Sequence, residues 1–135
     1  MSKKNKAGAL EPCPCGSGSG YAQCCAPYHG GLPASTPEAL MRSRYSAYAM
    51  GLSDYLLASW YAGTRPETLD LSDPPTKWIG LQVLGAQMQD ASHGTVEFVA
   101  RCRINGRAER MHEASRFVKE GGRWYYVDGD FPSAA

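Results

Sequence analysis

The chain has 135 residues, of which 43% are hydrophobic and 20% are charged, and its formal net charge is +1. This length is enough for one compact domain with a small appendage. No apolar run approaches the roughly 20 residues that a membrane-spanning helix needs, so the sequence predicts no membrane association. The nearly balanced charge gives no indication of a nucleic-acid partner, and it argues neither for nor against an acidic one.

The first eleven residues contain three lysines and no apolar segment. We expect residues 1–11 to form a disordered basic tail, because short polar termini rarely pack against a domain. A nucleic-acid contact by Lys3, Lys4 and Lys6 is the alternative. A secretory signal would need an apolar stretch here. Its absence predicts a cytoplasmic protein whose cysteines stay reduced.

Four of the five cysteines fall within thirteen residues, as Cys13, Cys15, Cys24 and Cys25. Two close pairs of thiols around a glycine-rich loop can supply the tetrahedral ligands that Zn²⁺ prefers. The segment is too short to bury a core, so a metal ion is the natural source of its order. The pattern predicts a zinc knuckle at residues 12–30 with one structural zinc ion.

Two alternatives to this ligand set stay open. Neighbouring cysteines bridge each other poorly, but a disulfide between the two pairs is geometrically feasible. His29 follows Cys25 by four residues and could replace one thiol. Four thiolates would leave zinc no open position for water activation, so the predicted role of the metal is structural.

The segment after the knuckle contains helix signals. Residues 28–35 lack periodicity and are predicted to be a linker. Thr36-Pro37 is typical of a helix start, and Gly51 is predicted to end that helix. A second helix is predicted from Ser53 to Gly63. Residues 64–67 resemble a capping box and predict one further short turn.

From Lys77 the apolar period changes to two, which predicts strands. The strands are predicted at residues 78–89, 95–105, 107–120 and 123–128. Asn105-Gly106 and Gly121-Gly122 are typical of tight hairpin turns. Helices followed by a four-stranded antiparallel meander predict an α+β fold in which the helices cover one sheet face.

The hairpin turns also predict the register. A two-residue turn at residues 105–106 places Phe98 opposite Glu113 and Val96 opposite Ser115. The residues on the same face of this strand as Val96 and Phe98 are apolar or small. This face of the sheet should therefore be the one that the helices cover. The second turn places Tyr126 opposite Phe117, and it places Asp128 opposite Ser115.

These positions define a candidate pocket. Its predicted members are Glu113, Ser115, Asp128, Tyr126, Trp124 and Tyr45. A desolvated carboxyl suits general acid–base chemistry, but no catalytic role is assigned beyond Glu113 as the one candidate. Structural alternatives are that Glu113 pairs with Arg42 or Arg44 or bonds to Tyr45, Tyr48 or Trp60, and that Asp128 caps a turn.

The cysteine segment, Cys-Pro-Cys-Gly-Ser-Gly followed by Tyr21 and Cys24-Cys25, resembles the SEC-C motif of the SecA preprotein translocase tail. Residues 40–48, His112-Glu-Ala-Ser-Arg-Phe117 and residues 124–129 are similar to the bacterial YchJ family. This resemblance implies a nuclear-transport-factor-2-like (cystatin-like) cone at residues 36–131. It also implies that the four ligand positions fall on the four clustered cysteines.

The resemblance favours a binding or adaptor protein. The knuckle would dock a protein or ribosome-associated partner, and the cone would supply a second surface or a pocket. The alternative is an enzyme or small-molecule binder that uses Glu113. The outer sheet face is predicted to be solvated, to bind an acidic partner or to form a homodimer. Replacing Cys13 or Cys24 by Ser is expected to release zinc and leave the cone folded.

Overall fold

The computed structural model of the chain describes residues 11–132, and residues 1–10 of the predicted basic tail lie outside them. A 3₁₀ turn at Tyr21–Gln23 precedes three α-helices, which are α1 (Ala26–His29), α2 (Pro37–Met50) and α3 (Ser53–Ala58). The strands are β1 (Thr76–Asp90), β2 (His93–Ile104), β3 (Arg107–Glu120) and β4 (Arg123–Asp130). They form one antiparallel sheet in the order β1-β2-β3-β4. The predicted α+β class is confirmed.

Helix α2 begins and ends where the sequence predicts. The Thr36 hydroxyl accepts a hydrogen bond from the Ala39 amide at 3.1 Å, and Pro37 is the first helical residue. Gly51 ends the helix with a φ of 75°, in the left-handed region that favours glycine. These local signals set the limits of the helix that contacts α1, α3 and the strands β1, β2 and β4.

Three local predictions differ from the structure. The predicted linker contributes Tyr28 and His29 to α1. Helix α3 ends at Ala58 rather than near Gly63, because the chain beyond it pairs with the Tyr126 backbone through the carbonyl of residue 59 and the amide of residue 61. Residues 64–67 form no helix, since the Thr64 hydroxyl donates instead to the carbonyl of Val127 at 2.7 Å.

The two hairpins have the predicted turns and most of the predicted register. Asn105 and Gly106 both have positive φ, as do Gly121 and Gly122. Phe98 lies opposite Glu113, and Val96 lies opposite Ser115. The predicted pair of Phe117 with Tyr126 is also present.

The predicted pair of Ser115 with Asp128 is wrong. A bulge follows the pair of Phe117 with Tyr126, and Val127 is the extra residue of β4. Arg116 therefore lies opposite Asp128, and Ser115 lies opposite Gly129. Because alternate strand residues face opposite sides, this one-residue shift moves Asp128 to the outer face.

Helix α2 packs on one face of the sheet, called the inner face here, and the opposite face is the outer face. The buried apolar cluster joins α2 to β2, β3 and β4, and its members include Leu40, Met41, Tyr45, Val96, Phe98, Ala100, Phe117 and Trp124. Three knuckle cysteines belong to the same cluster. Within residues 11–132, no helix has the length and apolar character needed to cross a membrane.

Candidate metal centre and cone cavity

The four knuckle cysteines converge as the sequence predicts. Their sulfur atoms all lie within 4.8 Å of one another. The Sγ atoms of Cys15 and Cys24 are 3.6 Å apart, and those of Cys24 and Cys25 are 4.0 Å apart. All four are unbridged thiols, and Cys13, Cys15 and Cys25 are buried.

The backbone of the knuckle brings the two cysteine pairs together. The Cys13 amide donates to the Ser19 carbonyl at 2.9 Å, and this bond closes a short loop. Gly16 and Gly18 have φ values of 77° and 92°, which side chains rarely tolerate. The 3₁₀ turn that follows then presents Cys24, whose amide donates to the Tyr21 carbonyl at 3.0 Å.

This cluster fits a thiolate-binding metal ion. Zn²⁺ binds thiolate sulfur at about 2.3 Å, so tetrahedral sulfurs lie about 3.8 Å apart, close to the two separations given above. A hydrogen bond from Cys25, with further ones from Ser17 and Cys24, lowers the pKa of the Cys15 thiol to about 4, whereas the same bond raises the pKa of Cys25 and burial raises that of Cys24. Thiolate is the form that binds metal.

Helix α2 contacts the sulfur atoms directly. The Ser46 hydroxyl donates to Cys25 Sγ at 3.3 Å and lies 3.5 Å from Cys13 Sγ. One Arg42 nitrogen donates to the Cys15 carbonyl at 3.0 Å and lies 3.9 Å from its Sγ. A cation and a hydroxyl donor thus face the cluster, where both would stabilise negatively charged thiolates.

His29 lies outside the cluster and has another function. Its Nε2 donates to the Ser43 carbonyl at 2.8 Å, since a carbonyl only accepts. Its Nδ1 lies 2.7 Å from the Tyr21 hydroxyl, and its ring packs edge-on against Tyr55. Both ring nitrogens are therefore engaged, since the Nε2 bond joins α1 to α2 and the Nδ1 contact joins α1 to the 3₁₀ turn. The alternative that His29 is a metal ligand therefore finds no support in this geometry.

A cavity of about 280 Å³ lies between α2 and the inner face of the sheet. Its walls are mostly aromatic and apolar, with a few polar groups at one end. The lining residues include Arg44, Tyr48, Glu113, Ser115 and Tyr126. Tyr45 also lines it and packs edge-on against Trp78.

Glu113 is the buried acid of this cavity, with 6% of its surface exposed. Its Oε2 accepts hydrogen bonds from the Ser115 hydroxyl and from the Tyr126 hydroxyl, each at 2.9 Å. Neither bond goes to Oε1. Burial, and then the nearby Glu113 charge, raise the pKa of Tyr126, so the phenol stays protonated and donates.

Arg44 balances this acid through Tyr126 rather than by direct pairing. Its guanidinium carbon lies 4.6 Å from the centre of the Tyr126 ring and 4.9 Å from that of Trp60. One of its nitrogens donates to the Leu56 carbonyl and the Ser59 hydroxyl. The structural alternatives predicted for Glu113 were an ion pair with an arginine or hydrogen bonds to Tyr45, Tyr48 or Trp60. Among the described residues, Glu113 makes none of these contacts.

Gly129 makes room for the carboxylate. A Cβ at this position would overlap the Glu113 side chain. The bulge at Val127 puts this glycine opposite Ser115, where the sequence analysis placed Asp128. The structure therefore provides space beside Glu113 at the site where a second carboxylate was expected.

The structure unites four of the six predicted pocket residues, namely Glu113, Ser115, Tyr126 and Tyr45. Trp124 is buried on the inner face but lines a different depression beside residues 28–34. Asp128 is on the outer face and bonds to Arg116 at 2.6 Å. Arg44 and Tyr48 were predicted only as possible partners of Glu113 and not as pocket residues, although their spacing along α2 with Met41 was an available signal.

Two family descriptions match the chain. The SEC-C motif matches residues 11–27, and "YchJ, middle NTF2-like domain" matches residues 36–129. The fold and the cysteine cluster thus define an α+β cone protein with an N-terminal SEC-C motif. The chain belongs to the YchJ family.

Relatives and solved structures agree with this assignment. A UPF0225 protein from Chromobacterium violaceum is 56% identical and covers 93% of this chain and 97% of its own length. A UPF0225 protein from Bordetella pertussis is 54% identical over 87% of this chain and 91% of its own. A SEC-C motif protein from Rhodopseudomonas palustris, solved in solution, has a TM-score of 0.79 at 39% identity, covering 90% of this chain and 98% of that one. A SEC-C motif protein from Psychrobacter arcticus, solved by crystallography, has a TM-score of 0.77 at 27% identity, covering 96% and 87%.

Replacement of Cys13 by Ser should lower the melting temperature of the whole protein, because three knuckle cysteines pack in the same cluster as α2 and the sheet. We expect bound metal to be lost and one cooperative transition to fall by about 10 °C. Elemental analysis and calorimetry would measure both. Cys102→Ser, at the fifth cysteine, is the control and should keep its metal. An unchanged cone transition with a separate loss at residues 12–29 would support the independent cone expected from sequence.

Replacement of Arg42 by Met should weaken metal binding about tenfold, because a charge that faces the thiolates is removed while the stem volume is kept. Competition with a chromophoric chelator would measure the affinity. Glu38→Gln, which removes the other partner of Arg42 at 3.1 Å, is the matched control and should have little effect. Equal losses in the two variants would show that Arg42 does not act on the sulfur atoms.

Alkaline pH should destabilise the fold through the buried phenols. Burial raises the pKa of Tyr48 and Tyr55, and also that of Tyr126. Above about pH 10 the unfolded chain releases these protons while the folded chain keeps them, so the free energy of unfolding falls as pH rises. Urea midpoints should therefore fall between about pH 9 and 11. The urea midpoint of Tyr126→Phe should fall less over this pH range than that of the wild type. An equal fall in the two proteins would show that Tyr126 does not contribute.

Proposed function

We propose that this protein binds a small organic ligand in the cone and uses one zinc ion to hold the knuckle against the cone. The observation that carries the proposal is the buried Glu113, which lines an aromatic cavity. Both of its hydrogen bonds go to Oε2, so its Oε1 accepts none from the described residues. A buried carboxylate is costly unless its oxygens are paired. A ligand donor on Oε1 would complete this pairing.

The size and charge of the cavity limit the ligand class. A volume of about 280 Å³ is just below the usual range of ligand pockets, which run from about 300 to 1,000 Å³. Arg44 and Glu113 already balance each other's charge, so a third charge would be desolvated without compensation. The cavity therefore suits a small, neutral, largely apolar molecule with one O–H or N–H group.

Binding is favoured over catalysis by what surrounds Glu113. Among the lining residues of the described chain it is the single carboxylate, and no histidine is present. The second acid that the sequence analysis placed there, Asp128, is on the other face. An acid–base mechanism would have Glu113 as its single carboxylate, with tyrosines whose pKa is raised by burial beside it.

The metal part of the proposal is structural. Four thiolates close the coordination of Zn²⁺, so it would supply order and no open site. Unbridged thiols of this kind persist in a reducing compartment, which supports a cytoplasmic location. Docking of a protein or ribosome-associated partner by the knuckle stays a prediction. With most of its sulfurs buried against α2, the knuckle presents mainly the exposed loop at residues 16–19.

Small phenols paired with their methyl ethers would test ligand binding, because the ether keeps the ring but loses the O–H donor. We expect 4-methylphenol to raise the melting temperature and 4-methylanisole to have little effect. Glu113→Gln should weaken phenol binding about tenfold, as expected for a hydrogen bond to a charged acceptor. Titration calorimetry would measure the affinities.

Gly129→Ala provides an independent test of the same site. The added methyl group should displace the Glu113 carboxylate and weaken phenol binding, while the backbone at this position needs no positive φ. Gly85→Ala is the matched control, since its new Cβ would meet no atom within 4 Å. Phenol and ether of equal affinity, in the wild type and in both variants, would refute a role for Glu113.

A further inference from the structure

Four cations lie together on the outer face of the sheet. They form the basic patch, defined as Lys77, Arg101, Arg103 and Arg110, and all four are exposed. Lys77 lies opposite Arg103, and Arg101 lies opposite Arg110. The neighbouring strand residues Trp78 and Met111 pack on the inner side. Strand alternation therefore directs the four cations away from α2.

No acidic side chain neutralises the basic patch in the part of the chain that the structure describes. Four acids of the outer face have other partners: Glu97 contacts His112, Asp90 contacts His93, and Asp128 and Asp130 contact Arg116. Like charges directly opposite each other destabilise a sheet. The pair of Arg101 with Arg110 thus carries a cost to folding that an anionic partner would relieve.

Charge on the outer face is separated along the strands. The basic patch occupies the end near the turn at residues 105–106, and the acids occupy the other end. Because the whole chain has a formal charge of +1, the residues outside the basic patch sum to −3. Apart from the three lysines of the predicted tail, which lie outside the described residues, the basic patch is set in a remainder of negative net charge.

We propose that the basic patch docks an acidic, partly apolar segment of another protein. Ile79 is 47% exposed and is the extra residue of a bulge in β1, next to Gly80, which lies opposite Arg101, so an apolar side chain is exposed beside the cations. Arginine forks bind carboxylates in a bidentate way. A protein segment can present carboxylates and apolar side chains together, which a phosphate backbone cannot.

Two observations disfavour a nucleic acid. A long polyanion on this face would extend over the end that carries Glu97, Asp128 and Asp130, where it would be repelled. The basic patch also contains no aromatic residue on which a base could stack. A short acidic segment can cover the four cations without reaching the acids.

Fluorescence anisotropy with three labelled probes would test this proposal. The probes are a peptide rich in glutamate and leucine, a peptide of equal length with glutamine in place of glutamate, and an oligouridylate. We expect the acidic peptide to bind most tightly and to weaken as salt rises, because exposed charges are screened. Tighter binding of the oligouridylate, or equal binding of the two peptides, would overturn the proposal.

The double variant Arg101→Glu with Arg110→Glu should reduce peptide affinity about tenfold or more, since two attractive contacts become repulsive. The matched control is Arg65→Glu with Lys119→Glu, which makes the same charge change at exposed positions elsewhere. Equal losses of peptide affinity in the two double variants would show that only the net charge of the protein matters, and this result would overturn the proposal. Arg101→Gln with Arg110→Gln serves if the first variant misfolds. Salt-sensitive self-association that the double variant abolishes would assign the basic patch to a second copy of the chain instead.

Discussion

Helix α2 is the element on which both candidate sites depend. Arg42 and Ser46 face the thiol cluster, whereas Met41, Arg44 and Tyr48 face the cone cavity. Residues three to four apart share one side of a helix, and residues one to two apart do not. A single helix thus gives one side to each site, and displacement of the knuckle would move the cavity wall with it.

The electrostatics of the cavity follow from the same helix. Arg44 is almost fully buried, and burial lowers its pKa, which nearby tyrosines and Glu113 oppose. Its charge is held over two aromatic rings, and the Tyr126 ring separates it from the acid. Glu113 and Arg44 stabilise each other without a direct hydrogen bond, so the Glu113 carboxylate can still accept a hydrogen bond from a ligand.

Local chemistry explains why much of the fold was predictable. The Thr36-Pro37 start, the Gly51 end and the two hairpin turns each depend on a few adjacent residues, and all are present. The convergence of the cysteines was predictable because it follows from metal-ligand spacing. The early end of α3 was not, since it depends on pairing with Tyr126 far along the chain.

The misplacement of Asp128 has a similar origin. No turn residue marks the bulge at Val127, and its carbonyl is held by Thr64, which is distant in sequence. A register counted from a hairpin turn is reliable only until the first such extra residue. The role of Arg44 was also hidden, because nothing in its neighbours shows which rings it will contact.

The bulge in β4 thereby decides how many acids the cone contains. The same residues paired as a regular ladder would direct Asp128 inward beside Glu113, in place of Gly129. Adjacent carboxylates cannot both ionise easily, and enzymes use such dyads to divide proton donation from proton acceptance. Without this one bulge, the cavity would contain two carboxylates, those of Glu113 and Asp128. The Thr64 hydroxyl does not line the cavity, but its hydrogen bond to the Val127 carbonyl helps to hold the bulge and thus keeps Asp128 out of the cavity.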